Sequence, residues 1–279
     1  SAFAPHAGGS VFNTSIALGR LGAPVQFFSG LSSDLFGDVL REELAASKVD
    51  STPASISDRP TTLAFVKLAD GHASYAFYDE NTAGRMLSTE DLPATQADAL
   101  FFGGISLVVE PCGAAYEAMM LREAPHRLTM TDPNIRPSFI SDETSYRARL
   151  TRMLGATDII KTSDEDLEWI TGNTDAKALL SQTGAMIVLL TRGSDGVSIV
   201  TASGTYDVPA ERARVVDTVG AGDTFSAGFM AQLHQSGHLT KSTLPNASES
   251  DLRAAAAFGA KVAAITVSRA GANPPWASE

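Results

Sequence analysis

Four short apolar runs, ALFFGGISL (99–107), RLTMTD (127–132), TDIIKTS (157–163) and MIVLLTRG (186–193), are set apart by stretches of helical patterning. Strands that alternate with helices pair in parallel and are covered on both faces, so this alternation predicts an α/β fold around a mostly parallel central sheet. PVQFFSG (24–30) is also apolar and β-rich. Asp34 is placed to cap an amphipathic stretch running to about Ser47, which would complete a β-α unit. Segment 61–78 breaks the pattern, because TLAFVKL and ASYAFY alternate apolar and polar residues around Asp70-Gly71, a hairpin turn signal. It predicts a separate antiparallel lid. The one linker-like piece is the polar loop HLTKSTLPNASESD (238–251), ahead of the last helix.

At 279 residues and 44% hydrophobic, the chain can bury one large α/β core. Lys plus Arg number 21 against 32 Asp plus Glu, a net charge of −11, which argues against nucleic acid as a partner. A nucleotide could still bind through local donors. Cys112 is the only cysteine, so no intrachain disulfide is possible and a packing role is expected. No apolar run approaches the ~20 residues that span a bilayer, and the start lacks a basic-then-apolar leader, so the expectation is a cytoplasmic chain that does not enter membranes.

Ligands of open α/β sheets sit at the carboxyl ends of the strands. The run DTVGAGDTFSAGF (217–229) joins a glycine-bearing turn to a helix start. Gly220, Ala221 and Gly222 have little or no side chain, so backbone N–H groups can approach an anion, and the helix adds its positive dipole end. Asp223 would lie beside that anion and could accept a proton from an attacking hydroxyl, the arrangement phosphoryl transfer requires. A plain helix start with an acidic first turn explains the same residues.

The run is similar, from Asp217 through Gly228, to the second signature of the PfkB (ribokinase-like) carbohydrate kinases. GGSVFNTSIALGRLG (8–22), followed by GLSSDLFGDVLREEL (30–44), resembles that family's sugar-binding opening. DPNIRP (132–137), TRGSDG (191–196) and VSRAGANP (267–274) extend the similarity over nearly the whole chain, which looks most like the bacterial fructokinases. The resemblance implies a ribokinase-like three-layer α/β/α fold, one kinase domain over residues 1–279, and a β-lid at about 59–83 through which a homodimer would form. It implies ATP-dependent phosphorylation of a primary hydroxyl of a monosaccharide, fructose foremost. A 2-keto-3-deoxygluconate kinase, a nucleoside or vitamin kinase, and a non-catalytic sugar or nucleotide sensor are the alternatives.

By the same resemblance Asp223 is the base, Gly220, Ala221 and Gly222 hold the developing charge, and Arg136 touches sugar or transferred phosphate. Gly8, Gly9, Asn13 and Asn134 would meet the sugar, joined from the lid by Tyr75, Phe77, Asn81 and Arg85. Thr191, Gly193 and Gly196 would lie against ATP, with Gly271 and Ala272 and an Ala-rich helix at 252–264 flanking the adenine. Each has a bland reading: a Gly-Gly turn, a surface Arg between prolines, an apolar lid face for Tyr75 and Phe77, a hairpin turn, or close helix packing. Where many relatives carry Asn-x-x-Glu, this chain has Ser163 and Asp166, so Asp166 would reach Mg2+ through water, unless Asp164, Glu165 and Asp166 only start a helix. Asp217 would shape a site for a monovalent cation such as K+, or simply cap its turn. The family's opening strand, with a sugar-contacting Asp, is expected before Gly8 and is missing here.

Overall fold

The computed structural model describes residues 5–69 and 72–279, the side chains of 66–75 excepted. The strands are β1 (Gly30–Ser32), β2 (Ser55–Ser57), β3 (Leu63–Ala69), β4 (His72–Tyr78), β5 (Ala99–Gly103), β6 (Leu128–Asp132), β7 (Ile159–Ser163), β8 (Ile187–Thr191), β9 (Val197–Thr201) and β10 (Gly204–Val208). The helices are α1 (Ser10–Arg20), α2 (Leu35–Ala46), α3 (Cys112–Glu123), α4 (Glu143–Leu154), α5 (Asp164–Thr171), α6 (Ala176–Thr183), α7 (Ala221–Gln235) and α8 (Glu249–Val267). One six-stranded sheet runs β10-β9-β8-β7-β6-β5. β5 to β8 pair in parallel and the β8-β9-β10 edge is antiparallel.

Successive side chains of a strand point to opposite faces, and the core divides accordingly. Leu128, Met130, Ile159, Ile187 and Leu189 pack with α1, α7 and α8. Ile160, Val188 and Leu190 pack with α3, α4, α5 and α6 on the other face. The result is three layers, helix, sheet, helix. On the first face α7 and α8 cross closely, since a side-chain carbon at Gly228 would lie 2.8 Å from the Gly259 backbone. Asp34 caps α2 as the sequence suggests, accepting from the Gly37 N–H, whereas Ser248 with Asp251 forms a capping box inside the polar loop that reads as a linker in the sequence.

β3 and β4 form their own antiparallel sheet, with Ala69 opposite His72, and the Asp70-Gly71 turn lies outside the described residues. Residues 24–30 correct the expectation of a strand there. Only a single bridge joins Gln26 to Asp50, regular pairing begins at Gly30, and β1 pairs in parallel with β2 in a small sheet of its own. The apolar signal in that segment comes from Phe27 and Phe28, which are drawn into separate clusters.

Phe229, in the cluster where α7 meets the sheet, is the largest fully buried side chain on this face. Phe229→Ala should cost about 3–5 kcal/mol in urea unfolding.

Candidate active site

Parallel strands β6, β7 and β8 end side by side at Asp132, Ser163 and Thr191, and the amino ends of α1 and α7 close over them. The approach to α7 is fixed by Asp217, whose Oδ1 accepts the Val219 N–H (3.0 Å) and whose Oδ2 accepts the Gly271 N–H (2.9 Å). Gly220 then takes a left-handed conformation, φ 79°, against Ala272, where a side-chain carbon would come within 2.6 Å. The first helical rung runs from the Thr224 N–H to the Gly220 carbonyl (2.9 Å). The N–H groups of Gly222 and Asp223 precede it, in the part of a helix that binds anions.

Asp223 is buried, 7% exposed. Ser10 Oγ donates to its Oδ1 and Asn13 Nδ2 to its Oδ2, both at 2.8 Å. Burial pushes the Asp223 carboxyl up to about 6 and the charge of Asp132 adds to this, against the bonds from Asn13 and Ser10 and the charge of Lys161. A carboxylate poised there is suited to take a proton near neutral pH.

Lys161, on β7, lies under the turn. Its Nζ is 2.9 Å from Asp132 Oδ2, and a side-chain carbon on Gly222 would come within 2.9 Å of it. Burial opposes its charge, yet Asp132, Asp166 and Asp223 together hold the ammonium above its usual range. Asp166 turns inward, its Oδ1 accepting the Ile135 N–H at 2.9 Å; burial and Asp132 raise its carboxyl, partly offset by Lys161 and the hydrogen bonds. Ser163 Oγ accepts the Asp166 N–H (3.1 Å) and so caps α5. Of the acidic run 164–166, Asp164 and Glu165 belong to the helix surface and only Asp166 is buried.

The donor set suits Mg2+ in one respect: Asp166 offers a hard oxygen, Oδ2, with one face of the carboxylate already fixed by Ile135. No group of three or more His, Cys, Asp or Glu side chains gathers to hold a metal among the described residues. An ion held chiefly by phosphate oxygens and water, with Asp166 in its outer shell, fits this arrangement.

The remaining expected residues distribute around this centre. Gly9 caps α1, its carbonyl accepting the Asn13 N–H (2.7 Å), and a side-chain carbon on Gly8 would lie in van der Waals contact with Asn13 Oδ1 (3.9 Å). Thr191 Oγ1 donates to the Thr162 carbonyl (3.2 Å), while Gly193 and Gly196 take positive φ in the turn of the β8–β9 hairpin. Phe77 and Arg85 line an open cleft of about 570 Å³ with Thr61, Asp79 and Phe139. Phe77 packs edge-on against Phe139, and Arg85 pairs with buried Asp79 at 3.8 Å. Asn81, φ 57°, is exposed and accepts from Arg59; Asn134, φ 46°, sits in the loop after β6. Arg136 is exposed and donates to the neighbouring Ile135 carbonyl (2.9 Å), with no hydrogen bond to the Asp223 group among the described residues. The Tyr75 side chain lies outside the described residues. Cys112 is buried and burial pushes its thiol up to about 12, which leaves it inert and in a packing role.

Ser10 and Lys161 are the residues that motif reading missed. Lys161 had a signal, since a charged residue in the middle of the apolar run TDIIKTS must find a partner if the strand is buried. Ser10 had none, because its value comes from Asp223, far away in the chain.

The model of pfkB family carbohydrate kinases matches residues 1–279. The chain belongs to this family. A fructokinase of Rhizobium leguminosarum bv. trifolii is 52% identical over 256 residues, 90% of this chain and 78% of that one. The crystal structure of a fructokinase with bound ATP from Xylella fastidiosa superposes with a TM-score of 0.88 at 28% identity, covering 97% of this chain and 87% of that one. An aminoimidazole riboside kinase from Salmonella enterica, complexed with aminoimidazole riboside and an ATP analogue, gives a TM-score of 0.83 at 25% identity, over 95% and 86%. The ribokinase-like fold is thus the fold of this pfkB kinase.

Because Asp223 is raised from 3.8 to about 6, its burial favours the folded state when protonated, and that contribution is lost as pH rises from about 4 through 6. Asp223→Asn carries no such dependence. The stability of wild type relative to this variant, from urea unfolding, should fall by on the order of 2–3 kcal/mol between about pH 4 and 7.

Proposed function

We propose that this pfkB kinase transfers the γ-phosphoryl group of ATP to a primary hydroxyl of a neutral sugar, fructose foremost. The observation that carries the reading is Asp223: a buried carboxylate on the first turn of α7, held by two donors and set beside helix N–H groups with no helical partner. The 52% identical relative is a fructokinase, which supports the choice of acceptor. Of the two cations that an acid sugar could use, Arg85 is paired with Asp79 at 3.8 Å, and Arg136 has no ion pair among the described residues.

In this reading the sugar hydroxyl donates to Asp223 and its oxygen attacks the γ-phosphorus in line, with ADP as the leaving group and the proton passing to Asp223. The N–H groups of Gly220 and Gly222 stabilise charge on the transferred group, joined by that of Ala221 once it leaves the Thr218 carbonyl it meets here at 3.3 Å, and Arg136 approaches the group when the substrates are bound. Asp166 would hold Mg2+ through water, and the ion would supply positive charge to offset that of the phosphates. Gly8, Gly9, Asn13 and Asn134 face the sugar, joined by Phe77 and Arg85 of the cleft and by Tyr75 and Asn81 of the lid segment. Ser163, Thr191, Gly193, Gly196, Gly271 and Ala272 border the nucleotide. A K+ ion would use lone pairs of Asp217 left over from Val219 and Gly271, together with nearby carbonyls.

The chain is taken as one kinase domain with a β3–β4 lid that excludes water on closure. Phe65 and Tyr78, 38% and 62% exposed on that lid, are the apolar surface a second subunit would cover in a homodimer. No described helix is long and apolar enough to cross a membrane, in keeping with the proposed cytoplasmic location.

ATP turnover against fructose, 2-keto-3-deoxygluconate, ribose and adenosine tests the reading. Fructose should be preferred, and Asp223→Asn should lower kcat by about 10²–10⁴-fold, the usual worth of a general base. Preference for the acid sugar would move the assignment to that kinase. Binding of sugar and ATP without turnover would make the protein a sensor. The wild-type kcat/KM should also fall on the acid side of about pH 6, where Asp223 takes up its proton.

A further inference from the structure

The reaction as described gives the buried charge of Lys161 no task, although it lies at the centre of the site. Lys161 is 7% exposed in its side chain and sits mid-sheet, paired with Asp132, which is also buried. A buried ion pair with Asp132 is no reason in itself for a lysine, because well-packed apolar residues commonly replace such pairs without loss of stability. What an apolar side chain could not supply is set by the neighbours. The ammonium lies against the place where Gly222 has no side chain, so the amino end of α7 rests on it. Asp132 Oδ1 meets no hydrogen-bond donor among the described residues, which leaves Lys161 as the charge that balances this carboxylate.

We propose that Lys161 is a positioning residue for phosphoryl transfer: its ammonium joins Asp132 to the first turn of α7 and offsets the negative charge gathered around Asp223. The charged groups facing Lys161 are Asp132 from β6, Asp166 from α5 and Asp223 from α7. Asp223 is faced in turn by Asp132 and Lys161, and by the uncharged Ser10 and Asn13 of α1. Tyr146 of α4 faces Asp132 and Asp166, and burial keeps its hydroxyl protonated. The two members of the pair act on Asp223 with opposite sign. Lys161 favours its carboxylate form and Asp132 disfavours it, so Asp223 stays ready to accept a proton because Lys161 stands next to Asp132. This role rests on the reading of Asp223 as the base.

The test titrates the Asp223 carboxyl directly, by 13C NMR of the full chain labelled at aspartate, with its resonance assigned through Asp223→Asn. Lys161→Met should move the midpoint up by about one pH unit, and Asp132→Asn should move it down by a similar amount. Opposite movements show that both charges act on Asp223 itself, and the pH dependence of turnover shows whether that action serves the reaction. A midpoint unmoved in both variants, or moved the same way in both, overturns the proposal. Should Lys161→Met fail to fold, Asp132→Asn decides alone, and a midpoint at or above wild type overturns it. In turnover with fructose, the deficit of Lys161→Met should widen as pH falls from about 8 to 6, and a constant deficit counts against the proposal. The titration needs no turnover, so a wild type that phosphorylates no sugar refutes the kinase reading while this answer stays legible.

Discussion

Two hydrogen bonds from α1 to Asp223, each 2.8 Å long, tie together residues 213 and 210 positions apart and set the geometry on which the rest of the centre depends. They bring the glycine-led opening of the chain to the glycine turn near its end, over the carboxyl ends of the parallel strands. The sheet makes this possible: β7 and β8 end level at Ser163 and Thr191, and β6 stops about two residues earlier, its Thr131 opposite Ile160, which leaves Asp132 next to Lys161. The close crossing of α7 and α8 through Gly228 and Gly259 keeps the start of α7 from drifting off that level. The carboxylate is therefore presented by three independent elements, α1, α7 and the sheet.

An anion site beside three carboxylates looks self-defeating, and the reconciliation is electrostatic. Asp132, Asp166 and Asp223 would repel one another and any phosphate, but Lys161 neutralises one charge directly and helix N–H groups face the space above. The negative charge that remains is what a cation-bound phosphate chain can offset. Burial itself raises Asp223, while the surrounding carboxylates outweigh burial at Lys161 and keep it charged.

Much of this was legible in the chain. The apolar runs located β5 to β8 within a few residues, because strands buried on both faces leave an unbroken apolar signature. The alternating segment gave β3 and β4, and the run 217–229 gave the turn and Asp223. Ser163 was legible as a polar residue at the right place, yet its hydroxyl serves the helix cap and only Asp166 turns into the centre. Residues 24–29 misled because Phe27 and Phe28 are apolar for packing, with no strand beside them to pair beyond Asp50. What sequence pattern could not give were the pairings across distance: Ser10 with Asp223 and Lys161 with Asp132. Such contacts are set by topology, and neither periodicity nor local spacing encodes them.

The central claim is that phosphoryl transfer takes place at the amino end of α7 with Asp223 as the base. A crystal structure with Mg2+, ADP, fluoroaluminate as a mimic of the transferred group, and fructose tests it most directly. The account predicts the fluoroaluminate within hydrogen-bond distance of the N–H groups of Gly220 to Gly222, with the attacking sugar hydroxyl on Asp223. A fluoroaluminate bound elsewhere, or a sugar hydroxyl held by another group while Asp223 keeps only Ser10 and Asn13, would contradict it.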